Sequence, residues 1–176
     1  MPNGWQGGLI FSEGGEKVAE VAELNRSGEG LTAYREVRYP YGKAEVWAFL
    51  TDNDRLSGWF DELRMGEAAE GGHYLFDMGE HGREKLEIFR FEPGETIEFD
   101  WFGDVVRFDL VVDNGSTVLA FKETVRKLTE QTVKDLAGWH VCLDVIGTLL
   151  AGRQPENRHA DWEKWHEAYS LAIGEL

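Results

Sequence analysis

The chain has 176 residues, and 18 basic against 33 acidic side chains give a formal net charge of −15. That length suits one domain burying about 70% of its unfolded surface, and 42% apolar with 12% aromatic residues excludes a disordered composition. The acidic balance argues against nucleic acid and anionic membranes as partners, and no apolar run approaches the roughly 18 residues of a membrane-spanning helix.

Glycines punctuate residues 1–30, which read as an N-terminal extension to a domain over 31–176. Val18, Val21 and Ala22 recur at helical spacing with Glu opposite, so a short amphipathic helix is expected over about 16–25. It reads as a loosely docked extension, a lid or a dimer arm. Met1–Gly8 has neither a basic region nor an apolar core, so a secretory signal is not expected.

Leu31–Tyr39 reads as a strand, with β-prone Thr32, Tyr34, Val37 and Tyr39 ended by Pro40. Ala44, Val46, Trp47, Phe49 and Leu50 then fit a short helix. Thr51-Asp52-Asn53-Asp54 offers a stop and a new N-cap, and a second short helix carries Leu56, Trp59 and Phe60.

From Leu63 to Arg126 the pattern is β. Tyr74, Phe76 and Met78 alternate, and Glu92-Pro93-Gly94-Glu95 is a turn. Gly103-Asp104 marks the next turn, Val106, Phe108, Leu110 and Val112 alternate after it, and Asp113-Asn114-Gly115 is a hairpin signal. Thr117, Leu119, Phe121 and Glu123 follow. Tight turns between such strands imply an antiparallel meander. A long helix over about Thr132–Ala151 carries Leu136, Trp139, His140, Leu143, Gly147 and Leu150 on one stripe, with Gly152 as its C-terminal cap. A last helix is expected over Ala160–Ile173.

The fold class is α+β: a curved antiparallel sheet of about six to seven strands around one long C-terminal helix. Two short helices follow the first strand. The sheet must cover its apolar face, and only the long helix is large enough. The space between them is where a small ligand would sit.

This order, with several residue clusters, resembles the START-like (SRPBCC, helix-grip) superfamily, and within it the group named after the activator of heat-shock protein 90 ATPase homologue. The clusters are Val46-Trp47, Phe49-Leu50-Thr51-Asp52, Trp59-Phe60, Gly71-Gly72 and Phe99-Asp100-Trp101. Further along come Ser116-Thr117-Val118-Leu119 with Glu123, Gly138-Trp139-His140, and Leu150-Ala151-Gly152. The likeness covers about residues 31–173. It implies a helix-grip fold and a pocket for lipid-, hormone- or polyketide-like ligands, with a Glu or His often pointing inward where Glu123 stands.

By strand parity, Tyr74, Phe76, Met78, Ile97, Phe99, Trp101, Val106, Phe108, Leu110, Leu119 and Phe121 share one inward face, as core or as cavity wall. Candidate ligand-binding residues are Trp47, Tyr74, Phe76, Met78, Phe99, Trp101, Phe108, Phe121, Glu123, Trp139, His140 and Leu143. Glu123 continues the inward series, and an inward carboxylate costs free energy unless paired. It either ends the strand near solvent or an Arg, or anchors a ligand hydroxyl or amine. Trp139 is expected to anchor the core, with His140 about 100° away on the helix, either bordering the pocket or, as for most lone histidines, structural or exposed.

Cys142 is expected to be a buried hydrophobe with no activating Lys, Arg or second Cys. As the chain's one cysteine it makes no internal disulfide, which suits a reducing cytoplasm. His159 with His166, and His73 with His81, lack metal-ligand spacing, so no metal is expected. No glycine-rich stretch cradles phosphate or a dinucleotide, so no cofactor is expected.

Three functions fit these residues. The first is a binding protein for a small apolar or aromatic molecule. The second is a cyclase, dehydratase or hydrolase using Glu123, His140 and Tyr74. The third is a surface-acting interaction module, for which the family name alone suggests a chaperone partner. Homodimerisation stays open, and binding without catalysis is the expectation.

Overall fold

The computed structural model describes residues 20–176, in which sequence alternation becomes one antiparallel sheet of eight strands. The chain opens with β1 (Glu23–Ser27) and β2 (Gly30–Tyr39), followed by α1 (Lys43–Thr51) and α2 (Asn53–Trp59). The meander then runs through β3 (Leu63–Glu67), β4 (His73–Asp77), β5 (Arg83–Glu92), β6 (Thr96–Trp101), β7 (Asp104–Asp113) and β8 (Ser116–Val125). Helices α3 (Glu130–Leu150) and α4 (Arg158–Gly174) complete it. Spatial order is β1-β2-β8-β7-β6-β5-β4-β3, so the first long strand pairs with the last.

Local chemistry sets most boundaries. Asp52 ends α1 and caps α2, accepting from the Asp54 N–H at 3.0 Å. Asn114 and Gly115 have φ of 47° and 76°, the left-handed pair that a two-residue hairpin turn requires. Gly30 is demanded by packing: a Cβ there would lie 1.8 Å from the Val125 carbonyl oxygen.

Three expectations need correction. The helix expected over about 16–25 is not formed in its described part: Glu20–Ala22 is irregular and Glu23 opens β1. Pairing of β1 with β2 satisfies a row of backbone groups that a one-turn helix would leave open. The rest of that helix lies outside the described residues. The strand count is slightly higher than six to seven, because β1 and the bulged β3 both pair. Met78 is 42% exposed: β4 ends at Asp77 and a short 3-10 turn follows, so the strand parity no longer applies.

The remaining inward series is buried, Phe76 only partly, and α3 covers it. The Tyr39 hydroxyl donates to the Leu143 carbonyl at 2.7 Å, and Arg35 donates to the His140 carbonyl and pairs with Asp144 at 2.7 Å, so β2 grips the helix twice. Trp139 fills the gap between helix and sheet. Its ring meets those of Trp59, Phe60, Phe99, Trp101, Phe108 and Phe121 at 4.9 to 6.4 Å. Helix α4 lies outside α3, and no described helix is long and apolar enough to cross a membrane.

Truncating the wedge removes contacts to both layers at once. Trp139→Ala is expected to lower unfolding free energy by about 3–5 kcal/mol, read by urea denaturation.

Candidate functional site

The gap expected between sheet and helix is largely occupied, and the open space lies on the flank of α3. A cleft of about 490 Å³ opens there. Phe60, at the end of α2, and Trp101, at the end of β6, form one wall. Gly138 and Trp139 of α3 form the floor, and Arg158, His159 and Trp162 of α4 form the other side. A Cβ built on Gly138 meets nothing within 4 Å, so the floor is bare backbone. Trp162 is fixed by donating its Nε1–H to the Lys134 carbonyl at 3.3 Å. Four aromatic rings share the lining with charged Glu62, Lys134, Asp135 and Arg158, an apolar surface with a few polar groups as small-molecule sites have.

Asp135 stands one helical turn before Trp139, on the same side of α3. It accepts from the Trp101 Nε1–H at 3.3 Å and from Gln131 at 2.8 Å. Burial raises its pKa above the ordinary carboxylate value, those hydrogen bonds work against the rise, and Asp104 adds to it.

Glu123 is 0% exposed, and neither carboxyl oxygen has a hydrogen-bond partner among the described residues. Its ladder partners are Ala33 and Val106, both fully buried. It lies in neither solvent nor reach of an ion-pairing Arg, the structural alternatives its sequence position offered. Burial, then Asp135 and Asp104, push its pKa well above the ordinary 4.5. The Trp139 Nε1–H is likewise buried without an acceptor among the described residues.

The other candidates disperse. Tyr74 donates its hydroxyl to the Leu50 carbonyl at 2.7 Å and packs on Phe99 in the core. Phe99, Phe108, Phe121 and Leu143 are core residues around Trp139. Phe76 packs against Phe60 and Trp101 just behind the cleft wall. Trp47 sits elsewhere, against Phe91 at 5.6 Å. His140 turns to the α3–α4 interface: its ring stacks on Trp165 at 3.6 Å, and Nδ1 lies 2.8 Å from the Tyr169 hydroxyl. That hydroxyl also accepts from the Ala22 N–H at 3.0 Å, so Tyr169 bridges the start of the described chain to the His140 ring. Burial first, then Arg35 and Lys164, lower the His140 pKa to about 2. Glu123, His140 and Tyr74 therefore do not converge as a catalytic set.

Cys142 needs one correction. An Arg does approach it: Arg158 of α4 reaches its Sγ at 3.4 Å. Burial outweighs that cation and pushes the thiol up to about 12, so it is not a nucleophile.

Of the sequence candidates, Trp101 and Trp139 line the cleft. Phe60, Asp135, Gly138, Arg158 and Trp162 line it too and were not singled out as site residues. The Asp135–Trp139 spacing was a usable signal, whereas the arrival of α4 was not, because its docking depends on tertiary contacts.

The family described as "Activator of Hsp90 ATPase homolog 1-like protein" matches residues 41–151. Among solved structures, a conserved protein of unknown function from Enterococcus faecalis superposes with a TM-score of 0.80 at 21% identity, over 88% of this chain and 91% of its own. CalU16 from Micromonospora echinospora gives 0.64 at 25% identity, over 86% and 93%. DynU16, a protein in the dynemicin biosynthetic locus, gives 0.59 at 22% identity, over 69% of this chain and 48% of its own. No curated protein matches the sequence.

The raised pKa of the Glu123 carboxyl predicts a pH dependence. Its folded pKa is raised, so its contribution is full below 4.5 and is lost as pH rises toward the folded pKa. Glu123→Gln lacks this group. Its stability relative to the wild type is therefore expected to improve by about 1.4 kcal/mol per pH unit between those two pKa values, read from denaturation at pH 4 to 8.

Proposed function

The chain belongs to the family of Activator of Hsp90 ATPase homolog 1-like proteins, and we propose that it is a binding protein for a small apolar or aromatic molecule. The observation that carries this reading is the cleft of about 490 Å³ walled by Phe60, Trp101, Trp139 and Trp162. Such a volume suits a drug-sized molecule, and the rings offer offset stacking to a flat ligand. The same fold in DynU16, from the dynemicin biosynthetic locus, supports a biosynthetic small molecule as the class of occupant. The lone buried Cys142 is consistent with work in a reducing compartment such as the cytoplasm.

Binding is favoured over catalysis by the dispersal of Glu123, His140 and Tyr74, each in different surroundings. It is favoured over a surface-acting module by the concave aromatic site.

A thermal-shift screen with flat aromatic compounds and fatty acids tests the reading. A ligand at 100 times its Kd is expected to stabilise the fold by about 2.7 kcal/mol. Gly138→Leu places a side chain on the open floor at a helical position that favours Leu over Gly. It is expected to keep or raise the melting temperature while abolishing the ligand-induced shift. An unchanged shift in Gly138→Leu would move the ligand elsewhere, and no shift with any compound would contradict the proposal.

A further inference from the structure

A second cleft, of about 510 Å³, lies between the β6–β7 turn and the start of α3. It meets the flank cleft at Trp101 and Asp135, which line both. Beyond Trp101 its aromatic wall is Phe102, which is 49% exposed. Three rings therefore link the two spaces: Trp139, then Trp101 at 4.9 Å from it, then Phe102 at 5.2 Å from Trp101.

Phe102 stands where a phenylalanine is poorly suited. It and Gly103 close the β6–β7 hairpin between the paired Trp101 and Asp104, with φ of 53° and 96°. A left-handed φ is uncommon for a bulky side chain, and a two-residue turn with two positive φ angles favours Asn-Gly. The chain itself uses that pair at the next hairpin, where Asn114 and Gly115 lie between the paired Asp113 and Ser116. The β6–β7 turn is nevertheless held firmly. The Gly103 N–H donates to the Asp100 carboxylate at 2.9 Å, and the Arg126 N–H donates to that of Asp104 at 3.0 Å. The Arg126 guanidinium lies so close over Gly103 that a Cβ there would be 2.3 Å from it. Contacts with Trp101 and with Phe76, at 5.3 Å, orient the Phe102 ring and still leave half of it open. Exposure alone would say little, since single exposed apolar residues are ordinary. A strained backbone that its surroundings enforce, at the wall of a cleft, points to a task for the side chain.

We propose that Phe102 is a ligand-binding residue and that the occupant is an elongated aryl compound, with a fused-ring body in the flank cleft and a pendant ring that crosses Trp101 to stack on Phe102. The inference rests on the small-molecule reading above and names the chemical class of that ligand.

Charge does not select this occupant. Glu62 and Asp135 are matched by Lys134 and Arg158 in the flank cleft, and Glu29, Asp104 and Asp135 stand with Arg126 and Lys127 in the second. The rings do select it. A flat body meets Trp139 and Trp101, and a second ring meets Trp101 and Phe102 in the offset or edge-on arrangements that aromatic pairs prefer. A compound with one ring system fills one space and gains nothing from Phe102.

Chromone and flavone, which differ by one pendant phenyl ring, test this through quenching of tryptophan fluorescence. Flavone is expected to bind the wild type at least about tenfold tighter than chromone. Phe102→Asn installs the residue that the turn favours, so it is expected to keep or raise the melting temperature while the ratio falls below about threefold. Phe102→Gly, equally suited to a left-handed φ, is expected to do the same. Phe102→Trp restores a ring and is expected to keep the ratio near the wild-type value. A tenfold ratio that survives in Phe102→Asn and Phe102→Gly, or a wild type that binds the two compounds equally, overturns the inference and leaves the small-molecule reading standing. Binding of neither compound also overturns it, and the wider thermal-shift screen then decides the small-molecule reading separately.

Discussion

The arrangement depends on one side chain wedged between two layers. Trp139 projects from α3 into the concave sheet and touches rings from α2, β6, β7 and β8. Each edge-to-face contact is worth about 1 kcal/mol beyond the area it buries, and all of them share one ring. Helix and sheet are thereby held at a fixed spacing. The Trp139 ring and its six ring neighbours occupy the middle of the grip among the described residues. A cleft opens on the flank, where the bare backbone of Gly138 and the arriving α4 shape it.

The same wedge leaves polar groups stranded. Glu123 and the Trp139 Nε1–H are both buried without partners among the described residues. Each costs roughly 1–3 kcal/mol relative to a satisfied group. The protein tolerates this because the rest of the polar interior is well paired: Tyr74 to Leu50, Tyr39 to Leu143, the Trp59 indole to Phe49, and Tyr169 between Ala22 and His140. Of the two stranded residues, only Trp139 lines the flank cleft, and a ligand that pairs its Nε1–H repays desolvation that folding has already incurred.

Much of the fold was legible because it is local. Asp113-Asn114-Gly115 and Glu92-Pro93-Gly94-Glu95 fix turns through their own φ preferences, and the alternation around Phe99, Phe108 and Phe121 fixes faces. Glu123 was legible as an inward carboxylate because strand parity reaches it without interruption. β1 was not legible, since Val21 and Ala22 carry a helical pattern and only pairing with β2 decides otherwise. Met78 fell outside the parity rule once the chain turned after Asp77. His140 and the cleft itself were not legible for one shared reason: α4 settles which way His140 turns and which residues wall the cleft, and its docking on α3 is a long-range choice.

The central claim is that small molecules enter the flank cleft beside Trp139 and leave the opposite side of the core untouched. Fluorine NMR of 5-fluorotryptophan-labelled protein, assigned by single Trp→Phe variants, tests this directly with a compound that binds. The account predicts that the Trp101, Trp139 and Trp162 resonances move while those of Trp47 and Trp165 stay in place. Movement of Trp47 or Trp165 with a silent Trp101 and Trp162 would contradict it.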